Sequence, residues 1–273
     1  MLFSTSDREA AKEYLINLAK QNTDIAAGVL LGSAAYGYID ELSDIDLCIM
    51  VNSEENIESA MSYMLQGVKA YRALLCCEQL THRRLQVYLL DNFLELNISF
   101  QSIDSINITK GDWKVVFDKN GDTETKIKKS WATFQATQKE NALSVNETVK
   151  AYANETWHFF FHCATAIKRA KYWRAIGELD IIRGRLLELK GLRYSVDIGR
   201  RHRDVDNLPA HELALIQKTM VTDISRETLS NCMSLLLDAV YDELDMQGAT
   251  PFYSVTRQQI REYVNYVSKI ESE

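Results

Sequence analysis

Gly32-Ser33-Ala34-Ala35-Tyr36-Gly37-Tyr38-Ile39-Asp40-Glu41-Leu42-Ser43-Asp44-Ile45-Asp46-Leu47 is the stretch whose reading decides the fold. Just before it, Ala26-Ala27-Gly28-Val29-Leu30-Leu31 is a short apolar run ending at Gly32, as expected of a buried strand. Just after it, residues 45–51 read as a second strand, and a loop or short helix containing Gly37 joins the two. Side chains two apart on a strand point to the same face. Asp44 and Asp46 should therefore project together while Ile45 faces the core. Two carboxylates on one face are costly unless a cation neutralises them. Mg2+ takes oxygen ligands and leaves room for substrate phosphates, and a pair of such ions can clamp both oxygens of a phosphoryl displacement. Gly32 lets the backbone approach a phosphate, and the following amides, with the Ser33 hydroxyl, are suited to hold phosphate oxygens. Gly-Ser alone is a common turn, and Asp-x-Asp alone is often a solvated strand end. Their occurrence together, in strand–turn–strand order, is what makes the pattern specific.

Working outward, the apolar spacing of Ala10, Ala11, Tyr14, Leu15 and Leu18 predicts a helix over 6–20. A second helix is expected over 54–66. Strand character then dominates 69–77, 84–90 and 94–100, with a short strand over 113–117. After about residue 125 strand signals nearly vanish. Helices are expected over 143–172, 174–191, 209–220, 225–247 and 256–271, with Pro209 and Pro251 where helices can begin. The fold class is therefore α+β: a small mixed-sheet domain, residues 1–124, followed by an all-helical domain, residues 125–273. A cleft between them is the expected place for substrate.

The composition narrows the partners. The chain of 273 residues has a formal net charge of -7. A protein that lives on a polyanion shows a basic face, so nucleic acid is not an expected partner, and a cationic small molecule fits better. No apolar run is long enough to span a bilayer. Asp7, Arg8, Glu9 and Lys12 interrupt any signal-peptide pattern. Five cysteines without metal spacing read as reduced core thiols. The expected setting is cytoplasmic, as a monomer or homodimer.

Gly32-Ser33 followed by Ser43-Asp44-Ile45-Asp46-Leu47 resembles the signature of the polymerase-beta-like nucleotidyltransferases. A small sheet domain followed by helices resembles the aminoglycoside and lincosamide antibiotic adenylyltransferases within that superfamily. Val115-Val116-Phe117-Asp118 with Gly121 resembles the turn that closes their sheet domain. Residues 157–190 resemble their first C-terminal helices. The resemblance implies an NTP substrate, ATP or another, and Mg2+ held by Asp44 and Asp46. It also implies Gly32 and Ser33 at the phosphates, and transfer of a nucleoside monophosphate to a small-molecule hydroxyl. Members of the superfamily carry a third acid on a later strand. Here the matching segment is Phe93-Leu94-Glu95-Leu96-Asn97-Ile98-Ser99-Phe100, which puts Asn97 in the acid position. Glu95, two residues earlier, shares its face. Either Glu95 takes the role or the site lacks a base. As a plain strand residue Glu95 would be a surface charge at an edge.

Other patterns are set aside. His158 and His162 share a helix face, but residue 159 is Phe, where a zinc-protease pattern needs Glu. The run Asp118–Asp122 lacks the glycine and glutamate spacing of a calcium loop. Arg193, Arg200, Arg201, His202 and Arg203 are interrupted by Asp197, Asp204 and Asp206, as in a salt-bridged loop. Two functional alternatives accompany the enzyme reading. One is a weakly active or non-catalytic nucleotide-binding regulatory protein, motivated by Asn97. The other is a protein-modifying, antitoxin-type nucleotidyltransferase, a type that is shorter and lacks a long helical domain.

Overall fold

The computed structural model describes residues 2–269 except Ile39, Ala142, Leu143, Arg200 and Arg201. The chain forms two compact units, Met1–Ala142 and Leu143–Glu273.

The first unit opens with helix α1 (Thr5–Gln21), whose cap residue Ser4 and Asp7 form a reciprocal capping box. Strand β1 (Ile25–Leu31) ends in a 3-10 turn, Gly32–Ala35, and strand β2 (Ile45–Val51) follows the loop. Helix α2 (Ile57–Tyr71) runs past its expected end into residues read as strand. Strand β3 therefore begins only at Leu74 and runs to Leu80. Gly67 and Val68 continue the buried face of Met61 and Met64 beyond residue 66, so the helical stripe of α2 overrides the local strand preference. Strands β4 (Leu85–Leu90), β5 (Glu95–Ser102) and β6 (Trp113–Asp118) complete a six-stranded sheet of order β3-β4-β5-β2-β1-β6. Among the described residues, only β2 and β5 pair in parallel. The sheet is mixed, as the sequence predicts.

Each face of the sheet is buried differently. Ile45, Leu47, Ile49 and Val51 of β2 pack with α1 and α2, through Leu15, Met61 and Met64 among others. Cys48 and Met50 point the other way, into a smaller core with Val29, Ile108 and Ile127. Ile127 belongs to helix α3 (Thr123–Asn141), a segment without a helix prediction. Its apolar stripe is narrow: Ile127, Trp131 and Phe134 are the large apolar residues at helical spacing. Because Ile127 and Trp131 pack on the sheet core, α3 groups with the sheet. The units divide at Ala142 and Leu143, where the sequence reading placed the boundary at 124 and 125. Asp118 accepts hydrogen bonds from the amides of Asn120, Gly121 and Thr123, so the turn it begins serves as the start of α3.

The second unit is helical: α4 (Val145–Lys168), α5 (Tyr172–Tyr194), α6 (Ala210–Lys218), α7 (Arg226–Met246) and α8 (Arg257–Lys269). Its core gathers Phe160, Leu179, Leu186, Leu236 and Val240. A buried charge network crosses it. Lys190 and Arg193 on α5 both reach Glu212 on α6 and Glu243 on α7. Two cations face two carboxylates, so no buried charge stands alone. Arg193 thus belongs to this network rather than to a basic loop, and Arg200 and Arg201 lie outside the described residues. His158 is exposed and His162 half-buried, their rings tilted at 46° with centroids 4.0 Å apart. No group of three metal-ligating side chains forms among the described residues. The cysteines are all free, but Cys76 is exposed on β3, at the sheet edge, rather than in a core. No helix among the described residues is long and apolar enough to cross a membrane.

Candidate active site

Gly32 marks where β1 must stop. Its φ is +56°, in the region that L side chains rarely adopt. A Cβ placed there would lie 3.2 Å from Asp46 Oδ2. The missing side chain is therefore filled by the carboxylate of Asp46. The Gly32 amide is not free to receive a phosphate, because it donates to the Asp112 carbonyl at 3.0 Å. This refines the expectation from sequence: Gly32 serves the site by its empty Cβ position and its turn. Ser33 follows in the 3-10 turn, and its carbonyl accepts from the amides of Tyr36 and Tyr38.

Asp44 and Asp46 bracket the buried Ile45, as strand alternation requires. Parallel pairing of β2 with β5 puts Asp46 directly across from Asn97. The Asn97 amide donates to Asp44 Oδ2 at 3.0 Å and to Glu95 Oε1 at 3.1 Å. One carboxamide thus links two acidic side chains, Asp44 and Glu95. β5 is an interior strand, so Glu95 is not an edge charge, although it is exposed. Along β5 the even positions Leu96, Ile98 and Phe100 are buried in the core under α2. The odd positions Glu95, Asn97, Ser99 and Gln101 form a polar stripe on the opposite face.

Asn97, Ser99 and Gln101 of that stripe line a pocket of about 310 Å3, and Glu95 lies outside it. Gly32 and Asp46 stand on one side, and Ile108, Thr109 and Lys110 on the other. Burial, and then the neighbouring charge of Asp44, hold the Asp46 carboxyl above the usual carboxylate range, against the opposing pull of the Asn97 amide and then of Lys110. Lys110 was not singled out from sequence. It comes from an irregular segment after β5, where no period marks which side chains face a site. Its only sequence signal is a cation in a short polar stretch, Thr109-Lys110-Gly111.

Chemically, the site offers two crowded carboxylates, an amide oxygen at Asn97, the Ser33 hydroxyl and one cation. Crowded carboxylates with one pKa raised are the arrangement that a divalent cation relieves. Mg2+ is commonly bound by one or two carboxylates with the remaining positions left to water and phosphate oxygens. The donor set fits such an ion with two carboxylates rather than three.

Residues 13–92 match the family described as Polymerase beta, Nucleotidyltransferase. Glu95 and Asn97 lie just beyond the matched segment. No curated protein matches the chain. Among solved structures, the chain is similar to an aminoglycoside 6-adenyltransferase from Bacillus subtilis, at 11% identity and a TM-score of 0.45, covering 98% of this chain and 100% of that one. It is also similar to a nucleotidyltransferase-like protein from Exiguobacterium sibiricum, at 11% identity and a TM-score of 0.40, covering 90% and 77% of the two chains. The segment that carries Gly32, Ser33, Asp44 and Asp46 is thus a match to the polymerase-beta nucleotidyltransferase family that its motif resembles.

Proposed function

We propose that the protein is a Mg2+-dependent nucleotidyltransferase that moves a nucleoside monophosphate, AMP from ATP, to a hydroxyl of a small molecule of the aminoglycoside or lincosamide class. The observation that carries this reading is the convergence of Asp44 and Asp46 at Asn97, beside the vacant Cβ position of Gly32. Asp44 and Asp46 would hold Mg2+, whose chemistry is to neutralise charge on the phosphates and polarise the reacting phosphorus. Asn97 orients Asp44 through its amide. The Ser33 hydroxyl and the amides of the following turn take phosphate oxygens. Lys110, across the pocket, supplies the cation that a triphosphate needs and that the acidic pair lacks. The acceptor hydroxyl attacks the α-phosphorus in line, and the bond to pyrophosphate breaks. Glu95, exposed beside Asn97, takes the hydroxyl proton. The acidic chain favours a cationic acceptor.

Pyrophosphate release from ATP and GTP, measured with Mg2+ and a panel of aminoglycosides and lincosamides, tests the proposal, with Asp46→Ala as control. Release that depends on an acceptor and vanishes in the control supports it. Release that persists in the control removes Asp46 from the reaction.

A second reading is a nucleotide-binding protein of little or no turnover, favoured by Asn97 in the third-acid position. Nucleotide binding without release across the panel would support it. Asn97→Asp separates the two. It is expected to lower the Mg2+ concentration for half-maximal turnover by about tenfold, the scale on which changes around a ligand set act. An unaltered Mg2+ dependence would remove position 97 from the ion's surroundings.

A further inference from the structure

Arg8, on the first turns of α1, is only 4% exposed. Arginine is rarely buried so fully unless paired. Yet among the described residues Arg8 makes no ion pair with a carboxylate. Its Nη1 instead donates to two backbone carbonyls, Asp40 at 2.7 Å and Ser43 at 3.2 Å. Its guanidinium carbon lies 3.8 Å above the centroid of the Tyr38 ring. Its Nε is buried without a hydrogen-bond partner among the described residues. The side chain therefore occupies a position in which its own hydrogen bonding is incomplete and the loop's is served.

The three contacts fall at informative places. Ser43 immediately precedes Asp44. Asp40 closes the turn before it, accepting from the Leu42 amide at 2.9 Å and the Ser43 hydroxyl at 3.2 Å. Tyr38 donates its amide to the Ser33 carbonyl at 2.8 Å and has a φ of +68°. One guanidinium thus touches the loop where it returns to the Gly32–Ser33 turn and where it delivers Asp44. Between these points the loop is exposed: Tyr36 is 73% and Leu42 is 72% accessible. Its packing is at its start and at Tyr38, where Ala34 and Tyr38 join the core under the sheet. Hydrogen bonds from a charged donor are the strong kind, and these span 32 and 35 positions of sequence.

We propose that Arg8 is a positioning residue, setting the carboxylate of Asp44 through Tyr38 and the backbone carbonyls of Asp40 and Ser43. The proposal rests on the two-carboxylate reading of the site and names what keeps that pair in place. Arg8 touches no substrate. It acts on Asp44 from the backbone side, while Asn97 acts from the carboxylate side. Ligand-orienting partners of this kind typically change metal affinity about 10- to 100-fold when removed.

The test is Mn2+ binding, read from the electron paramagnetic resonance signal of free Mn2+, by the full chain with a non-hydrolysable ATP analogue. Four proteins are compared: wild type, Arg8→Met, Arg8→Lys and Arg72→Met. Arg8→Met keeps the apolar stem and removes the donors, and is expected to bind Mn2+ about tenfold more weakly. Arg8→Lys keeps the charge without the fork, and should fall between the two. Arg72→Met removes an arginine that pairs with Asp91 on the same unit and should match wild type. Circular dichroism and denaturation establish which variants are folded. A folded Arg8→Met with wild-type affinity overturns the proposal. If Arg8→Met does not fold, wild-type affinity in Arg8→Lys overturns it. Equal weakening in Arg72→Met overturns it too, because the loss would then report general loosening. Absence of Mn2+ binding by wild type removes the two-carboxylate reading itself, and the role of Arg8 with it.

Discussion

Asp46→Asn is expected to lower nucleotidyl transfer by about 10³-fold, roughly 4 kcal/mol of transition-state stabilisation, while making the metal-free protein more stable at neutral pH. Both effects come from one carboxylate. In the folded chain its pKa is raised, first by burial and then by Asp44. A carboxyl whose folded pKa lies above its unfolded value adds stability below the unfolded pKa. That contribution is lost as pH rises through the folded pKa. At neutral pH the ionised Asp46 therefore destabilises the metal-free fold. An amide of the same shape removes that cost, along with repulsion of Asp44. Thermal melts without metal should show the variant above wild type at pH 7, the difference disappearing at pH values below the usual carboxylate range. Adding Mg2+ should raise the wild-type midpoint and leave the variant unmoved. Lower stability of the metal-free variant at pH 7 would argue that Asp46 is a structural residue whose charge the fold requires.

Gly32→Ala is expected to reduce transfer by about 10²-fold, the scale of an ångström-level misplacement of a catalytic group. The backbone there has a φ of +56°, which costs an L residue about 1–2 kcal/mol. The new methyl would also stand 3.2 Å from Asp46 Oδ2, closer than a comfortable contact. Either the carboxylate turns away or the turn shifts, and in both cases Asp46 leaves its place opposite Asn97. Chemical denaturation should register the backbone strain. A pyrophosphate-release assay at saturating Mg2+ should register the displaced carboxylate. Full activity with a lowered denaturation midpoint would confine Gly32 to a turn role.

The elements legible in the sequence are those whose period is local. β2 reads as a strand because Ile45, Leu47, Ile49 and Val51 alternate with positions also buried on the opposite face. β5 shows a cleaner alternation, apolar on one side and polar from Glu95 to Gln101 on the other. Helix α3 was not legible because its stripe holds so few large apolar residues that it reads as linker. Its helical identity is settled by Ile127 and Trp131 finding the sheet. The end of α2 was misread because its last residues favour strand when taken alone and pack as helix in context.

Two local pieces of the site are legible without the fold. A glycine that ends a strand and two carboxylates at alternate positions need only the backbone's own geometry, and that geometry is written within a few residues. Their surroundings come from long-range packing. It paired β2 with β5 in parallel, so that Asn97 stands across from Asp46. It brought Lys110 to the far side of the pocket and Arg8 beneath the loop that carries Asp44. Strand period says which face a side chain takes but not which strand will lie beside it. That choice is made by the burial of distant residues against one another, and no short stretch of chain contains it.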